Sequence, residues 1–279
     1  MNNSLPALPH LELLPIRDLL EHERHDNLRT DSLITRMVES GVLRNPPIVT
    51  PLQDNSQRFM ILDGANRVAV LQKLEFPHAV VQIVNADDPG LKLYNWNHVV
   101  WGFNPAELLA SINQLSEASI VTGDRMTTDS SIEQSLAKFE TAQGEQYTIC
   151  SAARDLASRV RLLNAIVDIY RLRASLDRTS EWSVVRLIST YANLCGLVIF
   201  PKFELQQVLS LAGQGCLLPT GITRFTVSPR VLHLNYPLAA LQGPESIESK
   251  QQDLQNFLQQ RISQKGVRFY AEATYMFDE

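Results

Sequence analysis

The chain has 279 residues, a formal net charge of −5, and 44% hydrophobic against 20% charged residues. That balance builds a packed core and excludes a disordered or fibrous chain. The acidic total gives no support to a duplex-DNA binder, which needs a basic face to neutralise phosphates.

Cys150, Cys195 and Cys216 are odd in number and form no CxxC pair. This argues against a disulfide framework or a zinc site and fits a reducing compartment. The opening MNNSLPALPHLELLP lacks a basic segment followed by an apolar one, and no apolar run approaches the roughly 18 residues of a membrane span. A cytoplasmic protein with no membrane contact is expected.

In chain order, residues 11–16 predict a strand, followed by the charged stretch EHERHD. A helix is predicted from about Arg29 to Ser40, with Leu33, Ile34, Met37 and Val38 on one face and Gly41 as its stop. IVT and RFMIL read as strands joined by a DNSQ turn. DGANR comes next, then a helix to about Glu75 with Val70, Leu71 and Leu74 inward, then a strand HAVVQIV. Strands this unevenly separated by helices predict a small mixed α+β sheet, not a doubly wound one.

Asp87-Asp88-Pro89-Gly90 marks a break, placing one domain at 1–88 and a second at 89–279. After the aromatic stretch LKLYNWNHVVWGF, residues 105–215 predict a mostly helical middle, with a strand or two at TICS and LVIF. Its clearest helix covers about Asp155 to Leu176, with Leu156, Val160, Leu163, Val167 and Tyr170 forming a core stripe. EWSVVRLISTYANLCGLVI also reads as helical, without a basic recognition face. LLPTGITRFTVSPRVLHLNYPL has no helical period. A polar helix at about 246–263 carries Leu254, Phe257, Leu258 and Ile262 on one side, and VRFYAEATYMF reads as a closing strand.

The junction DGANR carries the chemistry. A helix start offers free N–H groups and a partial positive charge, and phosphate is its commonest ligand. Gly64 permits a tight turn, Arg67 offers a planar fork, and Asp63 could face a metal or a hydroxyl. The same residues also fit a plain N-cap and a surface charge. GxxxxGK[ST] is absent, and Gly213-Gln214-Gly215 lacks the context of a dinucleotide fingerprint.

His22-Glu23, then DGANR some forty residues on, Trp96-Asn97-His98, and TGITR at 220–224 occur in this order. The set resembles the free L-serine kinases built on the ParB/sulfiredoxin-like fold, over roughly 12–102 and 217–277. The resemblance implies an α+β fold with C-terminal strands completing the substrate site. It also implies transfer of a phosphoryl group from ATP or ADP, with Mg2+, to free L-serine, giving O-phospho-L-serine. It assigns Glu23 as general base, with Glu21 two residues away as the competing acid. Asp63 would orient Mg2+ or the serine hydroxyl, and Gly64, Ala65, Asn66 and Arg67 would hold nucleotide phosphates. His22, Trp96, His98, Thr223 and Arg224 would form the serine pocket, although Trp96 equally fits core packing. Asn66 stands where the family often has histidine; it can donate to a phosphate oxygen but cannot carry charge. Two alternatives remain: a ParB-like, nucleotide-gated DNA-binding regulator, or a non-catalytic member that only binds nucleotide. The sequence leaves oligomeric state open.

Overall fold

The computed structural model describes residues 7–25, 30–123 and 135–271. The first unit contains β1 (Leu11–Pro15), β2 (Leu19–Leu20), α1 (Thr30–Ser40), β3 (Val42–Leu43), β4 (Ile48–Pro51), β5 (Phe59–Asp63), α2 (Ala65–Lys73) and β6 (His78–Ile83). Its sheet runs β1-β6-β4-β5-β2, with β4/β6 and β2/β5 parallel and the other pairs antiparallel. This is the mixed sheet that the sequence predicts.

Both faces of that sheet are covered, and strand alternation explains how. In β5, Ile61 packs into a core with Met37 of α1 and Leu71 of α2. Its neighbours Met60 and Leu62 face a second core, shared with the rest of the chain. Helix α1 ends at Gly41, whose φ of +64° suits glycine. Val38, expected inward, is 55% exposed, so the apolar stripe of α1 is narrower than its sequence suggests. Arg29 lies outside the described residues.

The second unit holds β7 (Lys92–Asn95), β8 (Asn97–Trp101), α3 (Pro105–Asn113), β9 (Ala118–Thr122), β10 (Ser135–Thr141), β11 (Gln146–Ser151), α4 (Leu156–Arg171), β12 (Ser175–Thr179), β13 (Leu194–Ile199) and α5 (Leu205–Gly213). Six of its strands form an antiparallel sheet in the order β12-β8-β13-β10-β11-β9. The middle is therefore less helical than expected, with three strands beyond the TICS and LVIF segments. Strand β10, SLAKFET, is buried at five of its seven positions, on both faces, which erases the alternation a half-exposed strand would show. Helix α4 stops before Leu172, short of the expected Leu176, because Leu176 pairs with Val100 at the sheet edge. The stretch from Glu181 forms only a short 3-10 turn (Val184–Arg186) before β13.

The C-terminal segment pairs with strands of both units. β14 (Thr223–Thr226) pairs with β7, and β15 (Tyr236–Pro237) pairs with β3. They are followed by α6 (Leu238–Gln242) and α7 (Ile247–Ser263). Helix α7 buries Leu254 fully in the first core, and its Gln251 Oε1 accepts from Leu13 N–H at 2.9 Å. Buried Gln82 holds the connecting segment at both ends, donating to Pro229 O and accepting from Val231 N–H, each at 2.9 Å. Residues 267–271 form no strand, and Phe269 and Tyr270 are exposed. The remainder of the expected closing strand, 272–277, lies outside the described residues.

Candidate functional site

A cleft of about 770 Å³ opens between the units. His22, Glu23, Asp63, Gly64, Ala65, Asn66, Arg67, Trp96, Thr223 and Arg224 all line it; His98 does not. The parallel register of β2 on β5 sets Leu20 beside Met60, and beyond it the His22 ring donates from Nδ1 to Ile61 O at 2.7 Å. The acidic loop is thereby held alongside the strand that ends in Asp63.

At the start of α2, Gly64 is the N-cap, with φ of +94° and no side-chain acceptor on the first turn. Asp63 is not a capping residue: its carboxylate meets Arg67 Nη2 at 3.4 Å and also pairs with Arg230. A Cβ at position 64 would lie 2.6 Å from Arg67 Nη2 and 3.0 Å from Pro47 Cα, so the glycine makes room for the guanidinium. Burial pushes the Arg67 guanidinium down from its usual value, against the opposing charge of Asp63. Its Nε is buried without a hydrogen-bond partner. A buried unpartnered cationic donor next to a free helix start suits an anion, and a phosphate oxygen in particular.

Glu23 lines the same cleft. Its Oε1 accepts from the N–H groups of Ile222 and Thr223 at 3.0 and 2.7 Å and from the Thr223 hydroxyl at 2.6 Å. Its Oε2 accepts from Gly221 N–H at 2.5 Å. The TGITR backbone thus forms a nest around this carboxylate. The clasp is reinforced by Leu218, which donates to His22 O and accepts from Arg24 N–H, each at 2.8 Å. The Thr223 hydroxyl also lies 2.8 Å from His22 Nε2, so a single hydroxyl joins the two residues of the HE pair. Glu21, the competing acid, pairs instead with His25 at 3.4 Å. Burial raises its carboxyl above the usual range, against the pull of His25 and His22.

His98 works from behind. It is buried between Tyr170 OH, 2.8 Å from Nδ1, and Gly221 O, 3.3 Å from Nε2. A carbonyl only accepts, so Nε2 carries the proton and Nδ1 accepts from the tyrosine. Burial holds this imidazole down to about 4, keeping it neutral. It braces the loop that holds Glu23 and does not touch the cleft. Trp96 lines the cleft and carries the Arg224 guanidinium over its ring, 4.7 Å from the centroid.

Seven arginines and three carboxylates line this cleft, a local excess of positive charge in a chain of net −5. Sequence reading missed five of those arginines: Arg24, Arg36, Arg44, Arg178 and Arg230. None lies in a recognisable motif; Arg230 follows TGITR by six positions, which was the one available signal.

The arrangement defines a class: an α+β protein with a helix start suited to an anion and a carboxylate lining one cleft. No family model matches the chain. It is 24% identical over 274 residues, 97% of this chain and 98% of the relative, to the ATP-dependent L-serine kinase SbnI of Staphylococcus aureus. It is 29% identical over 110 residues, 39% of this chain and 40% of the relative, to an ATP-dependent L-serine kinase of Staphylothermus marinus. The structure of the C-terminally truncated S. aureus SbnI superposes with a TM-score of 0.74 at 21% identity, covering 91% of this chain and 97% of that one. A free serine kinase with one glutamate replaced by glutamine, in complex with AMP, gives 0.70 at 14% identity over 86% and 98%. The chain is thus similar along nearly its whole length to a protein named as an L-serine kinase, and it shares the fold of free serine kinase structures.

Proposed function

We propose that this protein phosphorylates free L-serine to O-phospho-L-serine, with ATP as donor. The observation that carries this reading is the Glu23 carboxylate lining the same cleft as the start of α2 and Arg67. Its curated relatives are named ATP-dependent L-serine kinases.

In this reading the N–H groups of Ala65 and Asn66, together with Arg67 and Arg230, hold the nucleotide phosphates. Serine enters between them and Glu23. Its hydroxyl gives its proton to Glu23 as the oxygen attacks the terminal phosphorus, and the bond to the bridging phosphate oxygen breaks, releasing ADP. A positioned base of this kind is worth about 10²–10⁴-fold. The larger part of catalysis lies in alignment and in charge held on the phosphates. Among the described residues no group of three or more His, Cys, Asp or Glu could hold a metal. Asp63, which pairs with Arg67 and Arg230, is the carboxylate that would hold Mg2+, and the ion would supply charge neutralisation on the phosphates. Trp96 walls the serine pocket, and Asn66 donates to a phosphate without adding charge.

The test is incubation of the purified protein with L-serine, Mg2+ and either ATP or ADP, followed by phosphorus NMR. Phosphoserine formed by the wild type and lost in Glu23→Gln is expected. Absence of product with both nucleotides overturns the reading.

A further inference from the structure

The cleft contains a cation that no motif singles out. Arg178 lies on β12, and its register partner on β8 is His98. Paired residues on neighbouring strands put their side chains on the same face of a sheet, so Arg178 faces the segment that covers His98. That segment is the TGITR loop. The Arg178 guanidinium lies against Gly221, in the space that a Cβ there would fill, and Gly221 has φ of +74°. The same glycine donates its N–H to Glu23 Oε2. Arg178 thus stands one residue from the proposed base, on the cleft wall.

Most of the other cleft arginines have polar partners. Arg24 pairs with Asp168, Arg67 and Arg230 share Asp63, and Arg36 donates to Ser32 O. Arg224 stacks on Trp96, turned away from Glu23, whereas its neighbour Thr223 turns toward it, as alternation along β14 requires. The Arg178 guanidinium makes no hydrogen bond or ion pair with any described residue, and the neutral His98 beside it adds no competing charge. A planar fork of N–H donors without a carboxylate is an incomplete pair.

We propose that Arg178 reads the α-carboxylate of the amino-acid substrate and is the specificity-determining residue of the site, in place of Arg224. The proposal rests on the serine kinase reading. With the substrate hydroxyl on Glu23, the carboxylate is two carbons away, on the side of Gly221 where the guanidinium lies. The site therefore takes β-hydroxy-α-amino acids and rejects amino alcohols and amino-acid amides. The phosphate groups remain with Arg67 and Arg230, which share Asp63.

The test compares L-serine with L-serinamide on wild type, Arg178→Gln, Arg178→Lys and Arg224→Gln, by steady-state kinetics and by calorimetric binding in the presence of a non-hydrolysable ATP analogue. Wild type should prefer serine by roughly 10–100-fold, the size of a charge-assisted pair. Arg178→Gln should raise the serine KM and Kd by that factor, leave nucleotide binding and the serinamide values unchanged, and bring the ratio near one. Arg178→Lys should fall between, and Arg224→Gln should keep the preference. A preference retained in Arg178→Gln, one lost in Arg224→Gln instead, or a change in nucleotide affinity rather than serine affinity overturns the assignment. Serine binding without turnover, with the preference still dependent on Arg178, would sink the kinase reading alone.

Discussion

Glu23 and Thr223, two hundred positions apart, share two contacts, the Glu23 carboxylate accepting both the N–H and the hydroxyl of Thr223, and the same hydroxyl also reaches His22. The proposed base is therefore set by the C-terminal loop, and loop and base should respond to substitution as one unit.

Glu23→Gln places an amide NH2 where the nest of N–H groups needs an acceptor. We expect kcat to fall by roughly 10²–10⁴-fold and the loop to lose about 1–3 kcal/mol of local stability. Hydrogen exchange at Gly221 and Ile222 reads the second effect separately from turnover. Unchanged protection at those amides would contradict the nest.

Thr223→Val leaves both Glu23 Oε1 and His22 Nε2 short of a partner, whereas Thr223→Ser keeps the hydroxyl. Valine should cost about 1–2 kcal/mol in urea unfolding together with most of the activity. Serine should restore both. Equal behaviour of the two variants would show that the hydroxyl is not the link.

Gly64→Ala combines a left-handed φ with a collision against Arg67. The strain is of order 1–3 kcal/mol, and the displaced guanidinium is the proposed phosphate contact. Nucleotide Kd should rise at least about tenfold while serine affinity changes little. A variant that binds nucleotide normally would remove the α2 start from the site.

Stability should depend on pH through His98. Its folded value is about 4, below the unfolded 6.5. Below pH 6.5 the unfolded chain therefore takes up a proton that the folded chain refuses. Stability is full above about pH 6.5, falls as pH drops toward 4, and levels off below. Between pH 7.5 and 4.5 this group should account for about 2–3 kcal/mol of loss. The unfolding free energy of His98→Asn should show a correspondingly flatter acid slope; an identical slope would exclude His98 as its source.

The strands and helices of the first unit, and the DGANR junction of the candidate site, were legible in local motifs. A strand running into DGANR and a helix is a short-range pattern, because strand, turn and helix start each depend on neighbouring residues, and Gly64 announced its left-handed turn. The mixed sheet from Leu11 to Ile83 was legible for the same reason. The second sheet was not. Strands such as SLAKFET and SLDRT carry weak local preference and become strands by pairing with segments far along the chain. Tertiary structure alone decided that Arg178 and Arg230 enter the cleft, that Asp63 lies between two guanidiniums, and that His98 stands behind the loop. Each depends on a contact spanning between about 40 and 170 positions, for which sequence spacing carries no information. The charge total could not show this for a related physical reason: a net of −5 is a sum over the whole surface and does not forbid a local patch, while seven arginines gathered around one concavity fix the potential that a ligand meets there.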